Sequence, residues 1–103
     1  MEILLRVICT PDGSLREKIV SDKYIKNYNL IISKKKTAGR NPGWAKIHSS
    51  DRPGVLNIHW ESSTKILVCR AVTKYPNKPD SIIGDFIAYL FARNRNRIKA
   101  IIF

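Results

Sequence analysis

VLNIHWESSTKILVCRAVTK, residues 55–74, is the stretch on which the fold turns. Val55–Trp60 and Lys65–Lys74 are rich in β-branched and aromatic residues, which suit a pleated, half-buried surface. The connection Glu61-Ser62-Ser63-Thr64 is far too short for a crossover, so these two strands must run antiparallel. Within the first strand Trp60 alternates with Leu56 and Ile58, which places it in the core. In the second, Arg70 shares a face with Ile66, Val68 and Val72. An arginine there either pairs with an acid such as Asp85 or Glu61, or lies at the edge of a binding surface.

The same reading extends upstream. Trp44–Ser49 (WAKIHS) is another strand, separated from Val55 by Asp51-Arg52-Pro53-Gly54, a turn whose proline and glycine do not suit a strand interior. Tyr28–Ser33 (YNLIIS) precedes it. Residues 2–9 alternate, with Ile3, Leu5, Val7 and Cys9 on one side and Leu4, Arg6 and Ile8 on the other. Thr10-Pro11-Asp12-Gly13 then carries turn chemistry, and a hairpin into a strand at Leu15–Val20 follows. A competing signal lies in Ser14-Leu15-Arg16-Glu17, which matches a capping box opening a helix. The apolar residues from Ile19 through Tyr28 hold no single helical stripe, so strand is the favoured reading.

Downstream, Tyr75-Pro76-Asn77-Lys78-Pro79 ends the strand pattern. A helix from Pro79 to about Arg93 follows, with Asn77 or Asp80 as its cap. Ile82, Ile83, Phe86, Ile87, Leu90 and Phe91 form one broad apolar stripe for packing on a sheet. Gly84 is unfavourable in mid-helix by roughly 1 kcal/mol against alanine, which suggests close approach to a strand. Ile98–Phe103 is a final strand whose last residues are expected in the core. The sum is an α+β fold: an antiparallel sheet of about five or six strands, one amphipathic helix over about 79–93 packed on one face, and a C-terminal strand.

A chain of 103 residues fits one domain, 1–103, large enough to bury a core without staples. Cys9 and Cys69 fall inside apolar stretches and read as buried free thiols. With two cysteines and two histidines and no CxxC pair, neither a metal nor a cofactor is expected. Met1-Glu2 and the residues after it lack the basic start and long apolar run of a signal peptide, and no run approaches the ~20 residues needed to span a bilayer. The expectation is a soluble, cytoplasmic protein without a membrane partner.

Charge is the unusual quantity. Lysine and arginine number 19 against 8 acids, a net charge of +11. Residues 1–30 hold five basic side chains and four acidic ones, and residues 31–103 hold fourteen and four, so nearly all the excess lies after residue 30. It opens in SKKKTAGRNPGW, residues 33–44. Lys34, Lys35, Lys36 and Arg40 there can neutralise phosphates, and Trp44 can stack on an unpaired base. A second group, Arg93, Arg95 and Arg97, either contacts phosphate or complements the helix dipole. Tyr75, beside Lys74 and Lys78, is a second candidate for stacking. Lys46, Lys65, Arg70 and Lys74, inside apparent strands, would mark the uncovered face of the sheet.

These features favour a small basic protein that binds nucleic acid mainly through phosphates, with single-stranded DNA or RNA preferred because no recognition helix is evident. The alternative is an interaction or assembly subunit, either a homodimer or an adaptor for an acidic protein. A third reading, metal-independent RNA cleavage by His48 and His59, requires the two imidazoles to meet across a hairpin. An enzyme is the less favoured class.

Overall fold

The computed structural model describes residues 1–34, 44–74 and 76–103, Lys34 by its backbone alone. Its elements are β1 (Glu2–Cys9), α1 (Leu15–Val20), a 3-10 turn (Lys23–Tyr28), β2 (Leu30–Lys34), β3 (Ala45–Ser49), β4 (Val55–Glu61) and β5 (Ile66–Val72), then α2 (Asp80–Arg93), a second 3-10 turn (Arg95–Arg97) and β6 (Ile98–Ile102). Among the described residues the strands form one six-stranded antiparallel sheet in the order β2-β3-β4-β5-β1-β6. The α+β architecture expected from the sequence is the one observed. The first strand sits between β5 and β6, so chain segments from both ends pair at one edge of the sheet.

Alternation along each strand decides which residues face the helices. Leu5, Val7 and Cys9 of β1 are buried, as are Ala45 and Ile47 of β3, Leu56 and Ile58 of β4, and Leu67, Cys69 and Ala71 of β5. Leu15, Ile19 and Val20 of α1, Ile25, and Ile82, Ile83, Phe86, Tyr89 and Leu90 of α2 complete the core. Trp60 packs against this cluster, in line with its alternation with Ile58. Cys9 and Cys69 are buried free thiols, and burial pushes both of them above the ordinary thiol range.

Several expectations change. Leu15–Val20 is a helix, not a strand. Ser14 Oγ accepts from the Glu17 amide at 3.2 Å, so the capping signal decides the local structure. No helical stripe runs from Ile19 to Tyr28 because two elements share that window, α1 and a 3-10 turn that ends at Asn29 with φ +62°. The α2 stripe is rotated from the one expected: Tyr89 is buried and Phe91 is exposed. No side chain caps α2; Pro79 holds the N-cap position.

The C-terminus also differs. Ile98 and Ile101 pack against the core, whereas Ile102 and Phe103 are 48% and 72% exposed. Ile98 lies opposite Cys9 and Ile101 opposite Val7, so a register shift in this pair turns two residues three positions apart to the same side. Ile102 then stands opposite Arg6 on the outward face.

The glycines separate into two kinds. Gly54 has φ +123°, and a Cβ there would lie 3.1 Å from Thr73 Cγ2 and 3.2 Å from Ile82 Cγ2. The β3–β4 turn is thus seated against Thr73, just after β5, and the start of α2, where an added methyl would crowd two side-chain methyls. Gly84 has nothing within 4 Å of the corresponding position, so it makes no close approach to a strand. Gly54→Ala is expected to lower stability by about 1–3 kcal/mol through backbone strain and crowding. Gly84→Ala is expected to raise it by about 0.5–1 kcal/mol, because helix propensity improves without a clash. Urea denaturation of the two variants checks both signs; a stabilised Gly54→Ala or a destabilised Gly84→Ala would contradict the assignment.

Candidate nucleic-acid interface

The two helices bury one set of strand residues, and the same alternation leaves the other set on the opposite face of the sheet. Leu4, Ile31 and Trp44 are 45%, 40% and 41% exposed there. Between them stand residues of intermediate burial, among them Asn57, His59, Val68 and Arg70. Register fixes their neighbours. Lys46 lies opposite Asn57, and Asn57 lies opposite Arg70, so these three polar side chains form a row across β3, β4 and β5. Adjacent members are about 4.8 Å apart in the direction across the strands.

Trp44 immediately precedes β3 and is the centre of a cluster on this face. Its ring meets His59 at 5.4 Å between centroids with the planes inclined by 38°. The Arg70 guanidinium lies 5.4 Å from the Trp44 ring centroid, reaching from β5 over the intervening β4. A cation in this position is attracted by the ring quadrupole, worth about 0.5–2 kcal/mol depending on desolvation. Arg70 Nε is buried in this contact, with no hydrogen-bond partner among the described residues. Of the two alternatives the sequence left open for Arg70, the pairing with Asp85 is absent, because α2 packs on the other side of the sheet. Glu61 lies opposite Ile66, four residues along β5 from Arg70, or about 13 Å away along the strand.

The arginines at and after the end of α2 belong to the helix layer. Arg93 Nε donates to Asp22 Oδ2 at 3.1 Å and its Nη2 to Oδ1 at 3.3 Å, while the guanidinium covers the Tyr24 ring at 4.8 Å. Arg95 is exposed and lies 5.5 Å from the Phe91 ring centroid. Arg97 is only 8% exposed. Its Nε donates to Thr10 Oγ1 at 2.9 Å, and its Nη2 to the carbonyls of Thr10 at 3.2 Å and Gly13 at 2.6 Å, with Asp12 at 4.0 Å. The phosphate role expected for Arg97 does not fit this geometry: its donors hold the 10–13 turn. Arg93 is likewise engaged by an acid, and neither residue shares the face that carries Trp44.

Lys35, Lys36, Arg40 and Tyr75 lie outside the described residues, as does the side chain of Lys34. The two histidines both face outward but do not meet. His48 stands opposite Val55, four residues along β4 from His59, a separation of about 13 Å. That is too far for the pair to act as acid and base on one phosphodiester.

Asp22 ties the first 3-10 turn to α2. It accepts from the Tyr24 amide at 3.0 Å and from the Tyr89 hydroxyl at 2.8 Å, in addition to Arg93. Burial alone would raise its carboxyl, but the hydrogen bonds from Arg93, the Tyr24 amide and Tyr89 outweigh it and hold the group below its ordinary value. Burial also raises the Tyr89 phenol, which stays a donor. Comparison with family models, curated proteins and solved structures finds no match to the chain.

Because the folded Asp22 binds its proton more weakly than the unfolded chain does, its contribution to stability is fully present above the ordinary carboxylate value of about 3.9. It is lost as pH falls through the lowered folded value. Asp22→Asn is expected to flatten the decline in stability below about pH 4. Urea midpoints measured through that range check this; equal slopes for the variant and the unaltered protein would contradict it.

Proposed function

We propose that the protein binds single-stranded nucleic acid, with phosphate contacts supplying most of the affinity. The observation that carries this reading is the cluster of Trp44, His59 and Arg70 on the helix-free face of the sheet in a chain of net charge +11. An exposed indole offers a surface on which an unpaired base can stack, and guanidinium and ammonium groups supply the counter-charge for its backbone. In a duplex the base faces are already stacked on one another and closed to such contacts. The exposed face of α2 carries Asp80, Gly84, Ala88, Phe91 and Ala92, and its Arg93 is engaged by Asp22, so it offers little for reading a major groove. Lys34, Lys35, Lys36 and Arg40 add positive charge in the chain segment that leads to Trp44.

An assembly role is the second reading. It is favoured by one observation: β6 is an edge strand, and Ile102 and Phe103 at its end are exposed. A strict monomer in light scattering would remove the homodimer form of this reading.

Fluorescence-anisotropy titration against single-stranded DNA, single-stranded RNA and duplex DNA tests the first. Binding to single strands is expected to be tighter than to duplex. It should weaken with salt at a log–log slope of about −0.7 for each phosphate neutralised. No binding to any of these oligonucleotides at low salt would overturn the proposal.

A further inference from the structure

We infer that Arg70 anchors the bound strand: its guanidinium, held against Trp44, donates to the phosphate or base edge of a nucleotide whose base stacks on the exposed indole. This rests on the single-strand reading above and adds to it the surface and the anchoring contact.

Three observations converge on Arg70. First, it stands in the middle of the sheet on β5, half-buried, in a row with Asn57 and Lys46 and next to Leu4 on β1. A cation so placed ordinarily finds an acid, yet Arg70 forms no ion pair among the described residues. Second, its Nε is buried without a hydrogen-bond partner there. A buried donor left unsatisfied is unfavourable, so a turn of the guanidinium toward an oxygen acceptor on the open face would be favoured. Third, the guanidinium is already oriented by the Trp44 ring at 5.4 Å, so its donor fork is ordered before any ligand arrives.

Trp44 keeps 41% of its surface exposed while contacting both Arg70 and His59, so an area of indole remains for a base. Lys46 lies two strands from Arg70 in the same row, about 10 Å away across the sheet. A nucleic-acid backbone crossing the strands along this row would meet both cations. Neither acid on this face lies in the row or pairs with Arg70: Glu2, opposite Val72, is its diagonal neighbour, and Glu61 is opposite Ile66. The row is therefore positive, which matches an anionic polymer rather than an acidic-and-basic protein surface.

The experiment uses the full chain with homopolymeric DNA and RNA oligonucleotides of about eight nucleotides, within the range one sheet platform covers. Arg70→Lys retains the charge but loses the planar fork, and is expected to weaken binding about tenfold or more. Trp44→Ala is expected to weaken it roughly ten- to hundredfold, and Trp44→Phe to restore most of that loss. Arg95→Ala, on the helix layer, is expected to change affinity by no more than about threefold, as for a single long-range charge. Urea midpoints establish that each variant is folded. Trp44 fluorescence gives an independent readout: with Trp60→Phe as background, stacking quenches the remaining tryptophan. If that background weakens the fold, the quenching lost on going to Trp44→Phe reports the same event.

Salt-dependent binding with unquenched Trp44 and an unaffected Arg70→Lys would overturn this inference while leaving the single-strand reading intact. Absence of binding by the unaltered protein would overturn both. Losses of equal size in Arg70→Ala and Arg95→Ala, with Arg70→Lys binding as the unaltered protein does, would also overturn it, since charge alone would then account for the affinity.

Discussion

The antiparallel register between β1 and β5 is the constraint from which the rest of the molecule follows. Leu5 lies opposite Cys69 and Val7 opposite Leu67, and all four are buried beneath the helices. Because successive strand residues point to opposite faces, the same register sets Leu4 beside Arg70 and Arg6 beside Val68 on the outer face. A slip of one residue would carry Arg70 into the core and Cys69 out of it. The core therefore determines the outer surface, although no helix among the described residues touches that surface.

This division assigns the basic side chains to different work. In the helix layer arginine acts as a structural connector. Arg97 gathers the carbonyls of the 10–13 turn, and Arg93 closes the Asp22 network that joins the first 3-10 turn to α2. Arg16 is almost wholly buried and pairs with Glu17. On the outer face Arg70 has an aromatic neighbour instead of an acid. Net charge alone does not distinguish these roles; the contacts do. A large positive charge is compatible with the fold because several arginines are held by acids or carbonyls, leaving a smaller set for an anionic partner.

Most of the fold was legible in the sequence because period-two alternation and short turns leave few antiparallel arrangements. The strands at residues 2–9, 44–49, 55–60 and 65–74 correspond closely to β1, β3, β4 and β5. What escaped was set by local or tertiary detail. The capping interaction of Ser14 outweighed a hydrophobic pattern read across two elements. The register shift in the β1–β6 pair turned Ile102 outward, against the expectation from an apolar C-terminus. The candidate site was legible in part: position within the strands grouped Lys46 and Arg70 as markers of the uncovered face, with an ion pair left open for Arg70, and Trp44 stood out beside the basic stretch. Their meeting was not legible, because the contact between Arg70 and Trp44 spans a strand and depends on register and side-chain direction. His59 entered the sequence reading as a catalytic candidate, whereas its structural neighbour is the Trp44 ring.

The central claim is that the helix-free face of the sheet, not the helix layer, receives the nucleic acid. Amide and indole NMR chemical shifts recorded while a short single-stranded oligonucleotide is added test it most directly. The account predicts the largest changes at Trp44, including its indole N–H, and at Lys46, Asn57, His59 and Arg70, with little change in α2 and the 10–13 turn. Changes concentrated at Arg93, Arg95 and the end of α2, with the Trp44 indole signal unmoved, would contradict it.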